Sequence, residues 1–329
     1  MNKTMISILK VIDRAPGAII GSREISKRLP EYGIDLTERT VRYHLRILDE
    51  RGYTEVFGKE GRKITEKGKH ELKDSRVSEK IGFIISKIET LSYLTTLNLE
   101  TMKGSVILNV SFIPEARKRD ALNILGPVFA SAYAMSDRLV LARPGDRIGE
   151  ITVPDGKMGL GTVCSVTING IFLKAGIPVT SRFGGVLETG EKGPSRFVAL
   201  ISYEGSSLDP LEMFIRGKMT DVTGSVTGGD GRVLASFREI PVICREEAVR
   251  LSEKMAGRGM GGVLLIGNPN SPLLDIPVGF DKVGMVVIGG LNPIAALEEA
   301  GIPTESRAMS ALVDYSELQR FDKLARDIR

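Results

Sequence analysis

Along residues 4–14, TMISILKVIDR, apolar side chains return at helical intervals at Met5, Ile8, Leu9 and Ile12. Pro16-Gly17 is expected to stop that helix. A second helix is predicted to start with Ser22 as its N-cap and to run through EISKRL toward the Pro30–Gly33 region. In DLTERTVRYHLRILDERGY, Thr37 precedes a run whose apolar face is Val41, Leu45 and Leu48. Arg39, Arg42 and Arg46 fall at i, i+3 and i+7 and share the opposite face, and Gly52 ends the run. The stretch YTEVFGKEGRKITEKG then alternates as two short strands around Gly58–Gly61. Three short helices followed by a hairpin predict a winged helix-turn-helix over residues 1–75.

Residues 76–104 carry Ile81, Ile84, Ile85, Ile88 and Leu91 at helical spacing, which predicts an amphipathic connector helix. Its apolar stripe serves packing on the following domain or a contact between two chains. From Ser105 the texture changes to short apolar runs alternating with helical patterns: SVILNVSFI, RKRDALNILGPVFASAYA, RLVLA. This second region then repeats itself. Residues 151–182 slide onto 276–307 without a gap and match at ten of 32 positions, ending in AGIPVTSR against AGIPTESR. The match extends upstream, with Pro144 opposite Pro269 and Ile113-Pro114 opposite Ile240-Pro241, the latter at a shift two residues larger. That places a two-residue length difference in the intervening helix. The overall class is therefore α+β: an N-terminal winged helix-turn-helix followed by an internally duplicated α/β effector domain over 105–329, its halves near 105–215 and 230–315. Within each half, Ala-Gly-Ile-Pro reads as a helix end, glycine supplying the left-handed residue and proline preventing continuation.

Charge separates the two regions further. Residues 1–75 hold 16 Lys and Arg against 12 Asp and Glu, whereas the remaining residues hold 29 of each. The whole net charge of +4 thus sits in the first quarter of the chain, as a polyanion-binding module requires. Two cysteines and two histidines are too few for a disulfide framework or a zinc cluster. The N-terminus interleaves charge with its apolar residues, unlike a signal peptide, and no apolar run is long enough to span a bilayer. A cytoplasmic protein with no membrane association is expected.

The candidate chemistry follows from that division. On the third helix Arg39, Thr40, Arg42, Tyr43 and Arg46 are candidates for contacts to double-stranded DNA, with Lys59, Arg62 and Lys63 of the wing touching phosphates. His44 adjoins the buried stripe and reads as a core residue. In the duplicated domain, Lys157, Ser181 and Arg182 recur as Lys282, Ser306 and Arg307. Two related halves facing each other would gather these six around a shared cleft, where guanidinium and ammonium groups suit a small dicarboxylate. Ordinary salt bridging is the alternative employment for both arginines. GRGMGG at 257–262 lacks a following Gly-Lys-Ser/Thr and reads as a tight turn before a strand. Cys164 reads as a packed thiol. Neither histidine lies in the duplicated domain, so no Ser-His-Asp set is available, and no catalytic residues or cofactor are expected. An enzyme fused to a DNA-binding module would need an acid/base pair such as Asp155 with Lys157.

The run LDERGYTEVFGKEGRKIT, together with EKIGFIISKIE, VPDGKMGLGTVCSVTINGIFLKAGIPVTSRFGGVLE and GMVVIGGLNPIAALEEAGIP, resembles the nitrogen regulatory repressor (NrpR) family of methanogenic archaea over nearly the whole chain. The resemblance implies a dimeric repressor of nitrogen-assimilation and nitrogen-fixation genes that binds palindromic operators and is released by 2-oxoglutarate. Some members carry two effector domains in tandem. This chain, with one, resembles the single-effector form, which can work with a second family subunit. The ligand residues remain those read from the repeat. A winged-helix regulator of another pathway, sensing a different small anion, is the competing reading.

Overall fold

The computed structural model of the chain describes residues 3–14, 19–74 and 82–326. Pro16-Gly17 and residues 76–81 of the expected connector lie outside these. The chain divides into two compact units, residues 1–80 and 81–329.

The first unit comprises α1 (Lys3–Asp13), α2 (Ser22–Arg28, continued by a 3-10 turn over Leu29–Tyr32), α3 (Glu38–Glu50), the hairpin β1 (Thr54–Phe57) and β2 (Gly61–Ile64), and α4 (Glu66–Asp74). Ile8, Leu9, Ile25, Leu29, Val41, Leu45 and Leu48 are fully buried together. At about 1.5–3 kcal/mol per buried aliphatic side chain, this cluster is what holds three short helices that would not persist alone. Thr37 caps α3 by accepting from the Thr40 amide at 3.3 Å. Ser22 differs from expectation: Gly21 is the N-cap of α2, and the Ser22 hydroxyl instead donates to Glu38 at 3.0 Å, tying α2 to α3. The hairpin register pairs Thr54 with Ile64 and Phe57 with Gly61. A third rung is formed by Ile20, which exchanges two backbone hydrogen bonds of 3.0 Å with Arg62. Gly61 is required there, because a Cβ would stand 2.3 Å from the Ile20 carbonyl oxygen.

The second unit begins with α5 (Phe83–Leu94) and continues β3 (Ser105–Pro114), α6 (Lys118–Phe129), β4 (Arg138–Ala142), a small ribbon of β5 (Arg147–Ile148) and β6 (Ile151–Thr152), β7 (Lys157–Val163), α7 (Val166–Lys174) and β8 (Thr180–Gly190). An intervening segment holds β9 (Gly193–Ser202), α8 (Pro210–Arg216) and α9 (Val222–Val226). The series then recurs as β10 (Gly231–Pro241), α10 (Arg245–Ala256), β11 (Val263–Ile266), β12 (Lys282–Ile288), α11 (Asn292–Glu299) and β13 (Glu305–Asp314), and closes with β14 (Gln319–Arg320) and α12 (Phe321–Arg326).

Two five-stranded sheets result, in the orders β13-β3-β7-β4-β14 and β11-β12-β10-β8-β9, with every pairing antiparallel. Each half gives its last strand away. β8 leaves the first half to pair with β10, and β13 leaves the second half to pair with β3. This reciprocal exchange locks the two halves around one hydrophobic core that includes Phe112, Phe172, Phe237 and Ile294.

The repeated residues mostly serve this architecture. Gly176 and Gly301 take φ of 80° and 74°, and the following Ile177 and Ile302 amides return to Phe172 and Leu297 at 2.9 Å, closing both helices alike. Gly159 and Gly284 leave room for Val153 and Val278, since a Cβ on either would lie 2.7 and 3.1 Å from those side chains. The two-residue length difference falls after the helix: α6 and α10 match residue for residue, and the connection over 130–137 is longer than that over 257–262. Among the described residues no helix is long and apolar enough to cross a membrane, and no group of three His, Cys, Asp or Glu could hold a metal ion.

Candidate functional site

In the first unit the Arg side of α3 is exposed, but its members differ in freedom. Arg42 is tied to Glu38 and to Ser22 (3.2 Å), and Arg46 approaches Glu50 at 3.6 Å. Arg39, Lys59 and Lys63 are exposed and have no hydrogen bond or ion pair among the described residues. Thr40 is half-buried against the Thr37 cap, and Tyr43 projects into solvent edge-on to His44 at 5.4 Å. Arg62 is the exception on the wing. It is mostly buried, and its Nε donates to both Asp49 oxygens at 2.9 and 3.1 Å, while Thr54 donates to the same carboxylate at 2.6 Å. Arg62 therefore staples the hairpin to α3 instead of facing outward.

The six residues taken from the repeat do not converge on one place. Because β8 and β13 are exchanged, they sort into two groups. Ser181, Arg182 and Lys282 line one cleft of about 650 Å³. Ser306 lines a second of about 680 Å³, with Glu305 beside it. Lys157 is bound to Glu305 at 3.0 Å. Arg307 is exposed, its guanidinium 5.8 Å from the centre of the Phe112 ring. Neither Asp155 nor Lys157 lines either cleft.

The first cleft is walled by α5 through Ile85, Ile88, Glu89 and Ser92, and by the start of β8. Arg182 donates to Glu239 at 2.8 Å, and Glu239, nearly fully buried, also accepts from the Gly279 amide at 3.0 Å. Lys282 lines the cleft and makes no ion pair among the described residues. Behind the wall lies a residue that sequence reading missed. Arg238 is 2% exposed, yet no carboxylate pairs with it among the described residues. Its Nη1 donates to the Ser165 carbonyl at 3.0 Å and to Asn169 Oδ1, and its Nε donates to Ser236 at 3.1 Å. Desolvation lowers its pKa to about 10, so it stays a cation at neutral pH. The only signal in the sequence was a basic residue interrupting the apolar face of a strand, SFREI.

Next to this network, burial pushes the Cys164 thiol up to about 12 and the Tyr203 phenol above its ordinary range. Burial, with Glu212 nearby, pushes Asp209 up to about 6. Asp209 caps α8 by accepting from the Leu211 and Glu212 amides at 2.8 and 3.3 Å.

The second cleft carries carboxylates that are already used. Glu298 accepts from the Thr304 amide and hydroxyl at 2.6 and 2.7 Å, Glu299 from the Val222 and Thr223 amides at 2.9 and 3.0 Å, and Glu212 from the Ala308 amide at 2.5 Å.

A winged-helix unit with free cations on its third helix and wing, followed by a duplicated body holding a ligand-sized cleft, defines a DNA-binding transcriptional regulator. Residues 81–320 match the family of NrpR regulatory domains NRD1 and 2, and residues 6–72 match the ribonuclease R winged-helix domain. The chain is 38% identical to the global nitrogen regulator NrpRI of Methanosarcina mazei, covering 97% of this chain and 98% of that one. It is 32% identical to the global nitrogen regulator NrpR of Methanocaldococcus jannaschii and 30% to that of Methanococcus maripaludis, where it spans 57% and 55% of the relative's length. The crystal structure of a nitrogen repressor-like protein from Methanococcus jannaschii superimposes with a TM-score of 0.62 at 32% identity, covering 72% of this chain and 97% of that one. The chain belongs to the NrpR family of nitrogen-regulating transcriptional repressors.

Proposed function

We propose that this protein represses nitrogen-assimilation and nitrogen-fixation genes by binding palindromic operators as a homodimer, alone or with a second family subunit, and that 2-oxoglutarate releases it. Two winged helices would read half-sites about one helical turn, ~34–36 Å, apart. Arg39, Lys59 and Lys63 are the cations free to meet phosphate, with Thr40, Arg42, Tyr43 and Arg46 on the same helix face toward the groove.

One observation carries the effector reading: Arg182, Lys282 and Ser181 line a single cleft large enough for a small diacid. Two cations on separate strands suit a ligand with a carboxylate at each end. Entry of such a ligand sets its carboxylate in competition with Glu239 for Arg182. The cleft is also walled by α5, the first helix of the body among the described residues. A ligand that moves α5 therefore acts on the described element that follows the DNA-binding unit in the chain. To shift operator occupancy substantially it must prefer the released arrangement by a few kcal/mol. In this reading Ser306, Arg307 and Lys157 are remnants of the duplication.

The test is a gel shift on a palindromic operator titrated with 2-oxoglutarate, beside calorimetry with 2-oxoglutarate, glutamate and glutamine. Release and binding with 2-oxoglutarate alone support the proposal. Binding of another anion in its place supports a regulator of another pathway, and turnover of any ligand would make the protein an enzyme.

A further inference from the structure

We propose that Arg238, Asn169 and Ser181 form an oriented relay that aims a hydroxyl donor into the first cleft, making this cleft, and not its twin, the site for one carboxylate-bearing ligand per chain. The inference deepens the effector reading above and rests on it.

The orientation follows from which groups can donate. A guanidinium has donors only, so the Asn169 atom facing Arg238 is its carbonyl oxygen. The amide nitrogen then faces Ser181 Oγ, 3.1 Å away, and donates to it. Ser181 is left with one hydroxyl hydrogen and no acceptor for it among the described residues, and its side chain lines the cleft. The acceptor is missing where a ligand would sit. The sign of that ligand follows from Arg238. A buried cation without a counter-ion is costly, and an anion in the cleft, reached from Arg238 through Asn169 and Ser181, would supply the opposite charge. Charge on the first donor also strengthens the hydrogen bonds further along the chain.

The duplicated half is an internal control. The position of Arg238 opposite Ser181 on β8 corresponds to Ser111 opposite Ser306 on β13. The gapless repeat puts Ile294 where Asn169 stands. There the two hydroxyls simply bond each other, Ser111 Oγ to Ser306 Oγ at 2.9 Å. The serine was retained in both halves, but the cation and the amide that orient it exist in one.

The test uses the full chain. Calorimetry with 2-oxoglutarate is run on the wild type, Ser181→Ala, Ser181→Thr and Arg238→Met, with the ligand-free thermal midpoint measured for each. The expected result is one ligand per wild-type chain, at least tenfold weaker binding in Ser181→Ala and Arg238→Met, and recovery in Ser181→Thr. A relay that only supports the fold would move the midpoints and leave the affinities alone, and that outcome overturns the proposal. So does a stoichiometry of two per chain. If Arg238→Met does not fold, the Ser181 pair still decides, because it removes and restores a single hydroxyl at a strand position. Wild-type protein that binds no dicarboxylate would sink the effector reading itself. Normal binding by Ser181→Ala would sink only the relay.

Discussion

Lys282 and Arg182 line the same cleft although they come from different halves of the duplicated body. Lys157, the counterpart of Lys282 in the half that contains Arg182, is instead held by Glu305 of β13 at 3.0 Å. The cause is the strand exchange, which carries β8 across to β10, whose other neighbour β12 begins with Lys282. Arg182→Ala and Lys282→Ala are therefore expected to weaken 2-oxoglutarate binding by about ten- to a hundredfold each, the range of a charge-assisted hydrogen bond of roughly 1.5–3 kcal/mol. Lys157→Ala and Arg307→Ala are expected to change it less than about threefold, since neither side chain lines this cleft. Calorimetry on the four variants checks this, and equal losses at all four would place the ligand elsewhere.

The basic residues of the winged helix are expected to separate in the same way. Arg39→Ala and Lys63→Ala should weaken operator binding with the thermal midpoint unchanged. Each should also lower the slope of log affinity against log salt by ~0.9 for every phosphate the variant no longer neutralises. Arg62→Ala should do the reverse. It leaves Asp49 without its cation and removes one of the ties between hairpin and α3, the Thr54–Asp49 hydrogen bond remaining, at a cost of about 2 kcal/mol. Fluorescence anisotropy across a salt series and thermal melts together test the division.

Much of this organisation was legible beforehand, for identifiable reasons. The winged helix announced itself through Val41, Leu45 and Leu48 at helical spacing and through the glycines of the hairpin, all of them local signals. The duplication showed because Gly176 and Pro178 answer a backbone requirement and Gly159 a close side-chain approach, both of which tolerate few substitutes. Strand exchange was not legible, because periodicity says that a residue is on a strand and not which strand it meets. The expectation of one shared cleft failed for that reason. Arg238 stayed hidden because its role depends on Asn169, 69 residues away in sequence. Arg62 was misread as outward-facing because a basic residue on a hairpin looks alike whether it reaches toward solvent or back to Asp49.

The glycines of the repeat can be ranked by what a methyl group would meet. At Gly176 and Gly301 a Cβ touches nothing within 4 Å, so alanine is opposed only by the left-handed backbone, at about 1–2 kcal/mol. At Gly61 the left-handed φ of 141° is joined by a backbone clash at 2.3 Å, so Gly61→Ala should cost clearly more and disturb the third rung at Ile20. Urea unfolding of the three variants should give that order, with Gly176→Ala and Gly301→Ala alike.

Asp209 makes a prediction about pH. Burial raises its carboxyl to about 6 in the folded chain, helped by Glu212 and opposed by the Leu211 and Glu212 amides and by Lys87. In the unfolded chain it titrates near the ordinary value of about 3.9. Between those two values the folded state holds more protons than the unfolded state, so stability falls as pH rises through that window. The penalty is absent below about pH 4 and complete above about pH 6, where a shift of some two units corresponds to about 3 kcal/mol. Asn is nearly as good an N-cap as Asp, so Asp209→Asn keeps the acceptor for the α8 amides and removes the charge. The variant is expected to melt close to the wild type at about pH 4 and several degrees above it at about pH 7.5. A gap that does not widen between those pH values would mean that Asp209 is already neutral, or well solvated, throughout.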